Sequence, residues 1–290
     1  MVKLGYFPGC SLSSTAREYD ISTRIVCEDL GIELIEVPHW VCCGATTAHI
    51  TSDIAANALP AKTLIWAEKN NMPITSPCSA CFSRLALAHH TMTADEDMRK
   101  DVAEVVGEEY KGGAMVLHLA RVFYETYGLE ALKAKVKKPL KGLKVASYYG
   151  CLMTRPAEVC DFDRTENPMF MDKTVQALGA EPVKWGYKTE CCGAAFSLTK
   201  KEAVIKLTGD ILNDAKECGA DVIVVACPLC HANLDSRQRE IEKRSGRKIG
   251  LPIIYISQMI GLALGYNALD LSFKKHFVDP VRVLKEKGIL

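Results

Sequence analysis

Five cysteines at fixed spacing, followed by the same five again, constrain this chain more than any other feature of its sequence. The first set is Cys10, Cys42, Cys43, Cys78 and Cys81; the second is Cys151, Cys191, Cys192, Cys227 and Cys230. Four of the five recur at a constant offset of 149 residues and the first at 141. Their surroundings recur too: Gly44-Ala45 and Gly193-Ala194 follow the adjacent pairs, and YFPGC and SYYGC lead into the first cysteine of each set. One folding unit must therefore occur twice.

The apolar periodicity repeats with the cysteines. Short strands are expected at residues 4–7, 33–37, 73–76 and 115–119, then at 144–149, 182–185, 222–226 and 253–256. Helices between the later strands are expected near 173–178, 201–218 and 229–244. Alternating strands and helices imply an α/β fold of two pseudo-symmetric domains, each a small parallel sheet with flanking helices. The basic segment KAKVKKPLKGLK at 133–144, broken by Pro139, reads as a solvated linker. It sets an expected division into 1–138 and 139–290.

A chain of 290 residues with 48% hydrophobic and 24% charged residues can bury a core without staples. Its formal charge of +1 gives no global attraction to nucleic acid or anionic membrane. The amino terminus MVKLGYFPGC has no secretory pattern, which points to the cytoplasm. There, thirteen cysteines are for metal or redox chemistry rather than a disulfide framework. The uncharged stretch 249–269 could span a bilayer by length, but Pro252, Ser257, Gln258 and Asn267 fit a buried strand followed by a core helix, so the chain is expected not to span a membrane.

Ligands of parallel sheets gather at the carboxyl ends of strands, where these cysteines fall. Each Cys-x-x-Cys opens a helix, whose amino terminus favours thiolate over thiol. Gly44 and Gly193 allow a tight turn around a bulky group. A structural zinc site would take four ligands, so a set of five has one too many. A thiol–disulfide oxidoreductase would need one Cys-x-x-Cys and no adjacent pair. Ligand count and spacing favour iron–sulfur chemistry with extra or bridging thiolates, one cluster per set. Cys27, Cys160 and Cys218 lie outside the repeat and read as small core or surface residues.

With VCCGA and PCSAC in one half, and ECCGA and ACPLC in the other, the chain resembles the cysteine-rich CCG domain of the heterodisulfide reductase B component over almost its whole length. The resemblance implies two noncubane four-iron four-sulfur clusters at the domain interface, each held by one five-cysteine set. It further implies an oxidoreductase, typified in methanogenesis, that splits the mixed disulfide of coenzyme M and coenzyme B. Its partners would be the reductase's C component, with cubane 4Fe-4S clusters, and its flavin-containing A component, with a hydrogenase or formate dehydrogenase assembly as their wider setting. An electron-transfer or persulfide-handling protein without heterodisulfide turnover is the alternative.

The chain departs from methanogen members at Leu152, where those commonly have a histidine after the first cysteine of the second half. Substitute proton donors or substrate contacts would be His231, Lys200 and Lys201, with Arg155 as a further anion contact. His39, Trp40, Trp185 and Tyr187 are expected to shield the clusters from water.

Overall fold

A computed structural model describes residues 2–160 and 163–290. The fold is α/β, with two four-stranded parallel sheets flanked by helices. In the first, β1 (Val2–Tyr6), β2 (Ile32–Glu36), β3 (Ile74–Ser76) and β4 (Val116–His118) lie in the order β2-β1-β3-β4. In the second, β5 (Lys144–Tyr148), β6 (Glu181–Pro182), β7 (Val222–Val225) and β8 (Ile253–Tyr255) lie in the order β6-β5-β7-β8. The sequence repeat is thus a repeat of topology, and the register repeats with it. Lys3 pairs with Glu33 and Lys144 with Glu181; Ser76 pairs with His118 and Val225 with Tyr255.

Along β5, β7 and β8 strand alternation directs two apolar faces, and both become core with residues of the first sheet. Leu4, Leu117, Val145, Val222, Val224 and Ile254 share one buried cluster, while Tyr6, Ile74, Ala146, Ile223, Val225 and Tyr255 share another. Each cluster draws on both sheets, so neither half is buried independently of the other. The helix Arg17–Asp29 packs on the helix Ile256–Leu264 across the halves. Between them the Ser22 and Ser257 hydroxyls lie 2.7 Å apart, fully buried, and Tyr19 stacks on Tyr255 with ring centroids 4.0 Å apart.

Three expectations shift for local reasons. The strand expected at 182–185 shrinks to Glu181–Pro182, because the Asp214 carboxylate takes Gly186 N–H at 3.0 Å and draws the chain off the ladder. The single helix expected at 229–244 is two, Pro228–Ser236 and Gln238–Ser245. Ser236 donates its hydroxyl to Ala232 O at 2.6 Å, a back-bond that bends helices where it forms. The basic connector is not a free linker. Lys137 and Lys138 N–H groups both reach Ala263 O at 2.9 Å, Leu140 N–H reaches Leu178 O at 3.0 Å, and Leu140 is fully buried.

The stretch 249–269 forms β8 and the buried helix Ile256–Leu264, and among the described residues no helix is long and apolar enough to cross a membrane.

The serine pair gives an asymmetric prediction. Ser22 already donates to Tyr19 O at 3.2 Å, so Ser257 must donate to Ser22. Ser22→Ala leaves the Ser257 hydroxyl buried without its acceptor and is expected to cost about 1–3 kcal/mol. Ser257→Ala leaves Ser22 bonded and is expected to cost less than about 1 kcal/mol in the same urea titration. Equal costs would contradict this hydrogen-bond direction.

Candidate metal centre

The two Cys-x-x-Cys motifs open helices as the sequence implies. Cys78 and Cys227 are the extended residues that cap helices Ser79–Ala94 and Pro228–Ser236, and Cys81 and Cys230 lie one turn in. Cys10 follows β1 in a short turn, Gly9–Leu12, and Cys151 occupies the matching loop after β5. The adjacent pairs follow β2 and β6 in loops that Gly44 and Gly193 turn at φ 75°.

Atomic packing repeats with these elements. Gly9 and Gly150 both sit at φ 68°. A Cβ on Gly9 would come within 2.8 Å of Cys81 Sγ, and one on Gly150 within 3.3 Å of Cys230 Sγ. Glycine is required in both places by conformation and, at Gly9, by the sulfur itself. The Cys43 and Cys81 sulfurs are 3.3 Å apart, and their counterparts Cys192 and Cys230 are 3.6 Å apart. Both distances are far beyond a disulfide, and all thirteen cysteines are free.

The remaining thiols act on one another electrostatically: Cys10 on Cys42, Cys151 on Cys191, Cys81 on Cys78 and Cys227 on Cys230. Cys78 and Cys227, both fully buried, interact with each other across the halves. Three cysteines of each set therefore lie in one core shared by the two halves.

Such crowding divides the thiols into those that ionise and those that hold their protons. The neighbouring Cys81 sulfur brings Cys43 down to about 7, and Cys151 brings Cys191 down to about 6. At the interface, neighbouring Cys230 and Cys78 push Cys227 well down, while Cys78 is pushed up by Cys227, Cys81 by Cys43 and Cys230 by Cys192, with burial adding to each. A helix amino terminus acting alone would favour thiolate at all four Cys-x-x-Cys positions. It does so at Cys227, where the N–H groups of Leu229 and Cys230 assist; elsewhere thiol–thiol bonding and burial win.

A donor set of ten sulfurs, mostly buried and short of compensating positive charge, fits soft metal chemistry. Arg84, half-buried and drawn to Cys43, is the cationic side chain that acts on the first set's adjacent pair. Two sets of five, each shaped around its sulfurs by a glycine cradle, match iron–sulfur ligation better than tetrahedral zinc.

Other residues singled out in the sequence fall in varied places. His231 is 5% exposed and stacks on Tyr255 at 4.2 Å. Its Nε2 lies 3.1 Å from Ile253 O and 3.0 Å from His276 Nδ1, and burial holds the imidazole well below its usual range. That nitrogen is thus engaged with β8 rather than with sulfur. Lys201 pairs with Glu240 at 2.9 Å, and Lys200 sits over the Phe196 ring. Arg155 pairs with Glu166 and donates to Thr189 O at 2.9 Å, so it braces the loop leading to Cys191.

Trp40, Trp185 and Tyr187 pack against the core that contains the cysteines, whereas His39 is exposed at φ 51°. Cys27 and Cys160 are buried, their thiols pushed up to about 12 and about 11 by burial; Cys218 is exposed.

Sequence reasoning missed three buried groups around the sulfurs. Tyr148 donates to Glu190 O at 2.6 Å, bracing the second adjacent pair. His118 accepts from Ala120 N–H on Nδ1 at 3.1 Å, so its proton is on Nε2, facing Ser79 Oγ at 3.3 Å. Burial holds His118 down at about 4. The third, Tyr19, has a buried hydroxyl with no partner. Only Tyr148 carried a sequence signal, in SYYGC; the others come from segments between motifs.

The geometry defines a duplicated cysteine-rich protein, and comparison with known proteins agrees. The family described as CCG, cysteine-rich domain, matches residues 4–86 and again residues 145–235. The chain is 34% identical over 97% of its length to the 8-methylmenaquinol:fumarate reductase membrane anchor subunit of Wolinella succinogenes, covering 99% of that protein. It is 30% identical over 98% of its length to the B component of the ferredoxin/F(420)H(2)-dependent CoB-CoM heterodisulfide reductase of Methanosarcina acetivorans, covering 96% of it. A protein of Archaeoglobus profundus named as like the heterodisulfide reductase B component is 32% identical, with 92% of each chain covered. A hypothetical protein from Helicobacter pylori shares the fold, with a TM-score of 0.75 at 12% identity over 96% of this chain, which spans about half (52%) of that solved chain. The chain belongs to the family of the heterodisulfide reductase B component, with its cysteine-rich domain present twice.

Cys191 and Cys218 are both exposed, but Cys191 is lowered to about 6 by neighbouring Cys151 while Cys218 is raised by partial burial and by Asp214 and Glu217. In metal-free protein at pH 7, iodoacetamide is expected to modify Cys191 well ahead of Cys218, since thiolate is the nucleophile. Peptide mass spectrometry across pH should show the Cys191 rate rising through about pH 6 and then levelling.

Proposed function

We propose that this chain is the iron–sulfur subunit of a heterodisulfide reductase-type complex. Cys10, Cys42, Cys43, Cys78 and Cys81 would hold one noncubane four-iron four-sulfur cluster, and Cys151, Cys191, Cys192, Cys227 and Cys230 the other, between halves that divide at residue 138. The observation that carries this reading is that cysteines of both sets lie in one buried core, where Ser79 Oγ, beside Cys78, reaches Ala226 O, beside Cys227, at 3.5 Å. When bound, the two clusters would supply one electron apiece and iron as a Lewis acid toward thiolate sulfur.

The chain's own residues hold and enclose the site. Gly9 and Gly150 let the first-cysteine loops close on Cys81 and Cys230. Trp40, Trp185 and Tyr187 exclude water from the core around the sulfurs, which raises the weight of every local charge. Cleaving a disulfide consumes two electrons and two protons and releases two thiols. Both electrons must come from outside, because the sequence holds no dinucleotide fingerprint or P-loop. Partners like the cubane-cluster and flavin components of heterodisulfide reductase would supply them, in the cytoplasm.

Exposed side chains near the second set in sequence favour a second reading. Leu152 is 42% exposed and Leu198 is 99% exposed, with Phe196 also exposed nearby in sequence. Arg155 and Lys201 are ion-paired, and Lys200 covers a ring. Exposed apolar side chains beside cations that already have partners suit an apolar partner surface better than a sulfonate or phosphate. Together with the relative named for a menaquinol:fumarate reductase, this supports an electron-transfer protein without heterodisulfide turnover.

Anaerobic purification with iron and sulfide analysis tests the shared part: about eight irons per chain are expected, and zinc without acid-labile sulfide would refute it. Cys81→Ala should lose about half of the iron, because one set remains whole. Adding coenzyme M and coenzyme B thiols to oxidised protein separates the two readings. A thiol-induced paramagnetic signal supports disulfide cleavage, and its absence leaves electron transfer.

A further inference from the structure

Asn233 lies on the helix Pro228–Ser236, three residues after Cys230, and is buried. Its amide is held at both ends. Oδ1 accepts the Ser197 hydroxyl at 2.9 Å, and Nδ2 donates to Cys192 O at 3.0 Å. Because a backbone carbonyl only accepts, the second contact fixes which end of the amide is nitrogen. One amide hydrogen is thus spent on Cys192 O, and another remains. Nδ2 also lies 3.9 Å from Cys192 Sγ, at the outer limit of a bond to sulfur. A thiol is a weak acceptor, but sulfur that carries charge draws a donor closer and holds it more strongly. The amide is therefore poised beside a sulfur whose charge depends on what it binds.

The repeat puts other side chains in this place. At the constant offset of 149 residues, Arg84 stands opposite Asn233, three residues after Cys81 on the helix Ser79–Ala94, and Ala48 stands opposite Ser197. The first half thus has neither the amide nor the hydroxyl that orients it. Arg84 is half-buried, and its Nε is enclosed with no hydrogen-bond partner among the described residues. We propose that Asn233 is a positioning residue of the second site, clamping the adjacent pair through Cys192 O and donating its remaining amide hydrogen to the Cys192 sulfur when that sulfur ligates metal, so that a neutral amide sets this site's potential where the first half has a guanidinium. This rests on the reading above that both sets hold iron. Hydrogen bonds to ligating sulfur relieve its negative charge and so favour the reduced state. Duplication made two similar sites; one position on matching helices makes them unequal.

The test uses the full chain, iron-loaded, as wild type, Asn233→Leu, Ser197→Ala and Thr208→Val. Thr208 Oγ1 bonds the same Cys192 O at 3.4 Å, so its substitution loosens that carbonyl without removing a donor to sulfur. Redox titration followed by paramagnetic resonance reads the midpoint potentials, and metal analysis reads the iron. At unchanged iron, Asn233→Leu should move one of two midpoint potentials to a more negative value and leave the other in place. Ser197→Ala, which frees the amide to turn away, should move the same potential in the same direction by less, and it carries the test if Asn233→Leu sheds iron. Thr208→Val should leave both potentials in place. Unchanged potentials in Asn233→Leu at full iron, or in Ser197→Ala where Asn233→Leu sheds iron, overturn the inference while leaving the iron–sulfur reading intact. A Thr208→Val shift equal to that of Asn233→Leu does the same, since loop position alone would then explain both. Wild type that binds no iron overturns both the inference and the reading beneath it.

Discussion

Six thiols buried in one core, three from each set, with the other four at its edge, set the terms for the rest of this structure. Sulfurs at 3.3 and 3.6 Å cannot all ionise in a buried environment. Without a cation the ten divide, with Cys43, Cys191 and Cys227 taking the negative charge. Their crowding demands positive-φ glycines at two points, since Gly9 and Gly150 pass against the sulfurs. It also demands that the two halves share cores, because both sets contribute to one of them.

Pseudo-symmetry extends beyond the cysteines but is filled differently on each side. Phe82 and His118 meet edge to face in the first half; at the matching positions of the second, His231 and Tyr255 lie flat on one another. Each half keeps one imidazole and one aromatic ring behind its Cys-x-x-Cys helix, with their positions exchanged. The first imidazole is tied to Ser79 and the second to Ile253 and His276. Sites that share a ligand pattern therefore sit in different electrostatic surroundings.

The fold was largely legible because its signal is carried by exact repetition. A constant offset between cysteines located equivalent loops, and period-two apolar runs found all eight strands to within a few residues. Boundaries failed where a side chain from elsewhere intervened, as Asp214 does at Gly186. The connector's lysine-rich composition implies solvent, whereas its backbone N–H groups had a buried carbonyl, Ala263 O, to satisfy. At the site, local motifs announced the ten cysteines and their glycines. They could not announce Tyr19, whose stack on Tyr255 depends on docking between the halves, nor that Lys201 would be taken by Glu240.

Burial of this kind also bears on how the protein is made. In the closed fold Cys10, Cys42 and Cys191 are exposed members of the two sets, while Cys43, Cys78, Cys81, Cys192, Cys227 and Cys230 are enclosed. A delivery protein carrying iron could dock only at the exposed ones. If the two sets hold iron as proposed, the inner cysteines would be reached by it only where the seam between the helices Arg17–Asp29 and Ile256–Leu264 opens, which would tie metal loading to the closing of the two halves.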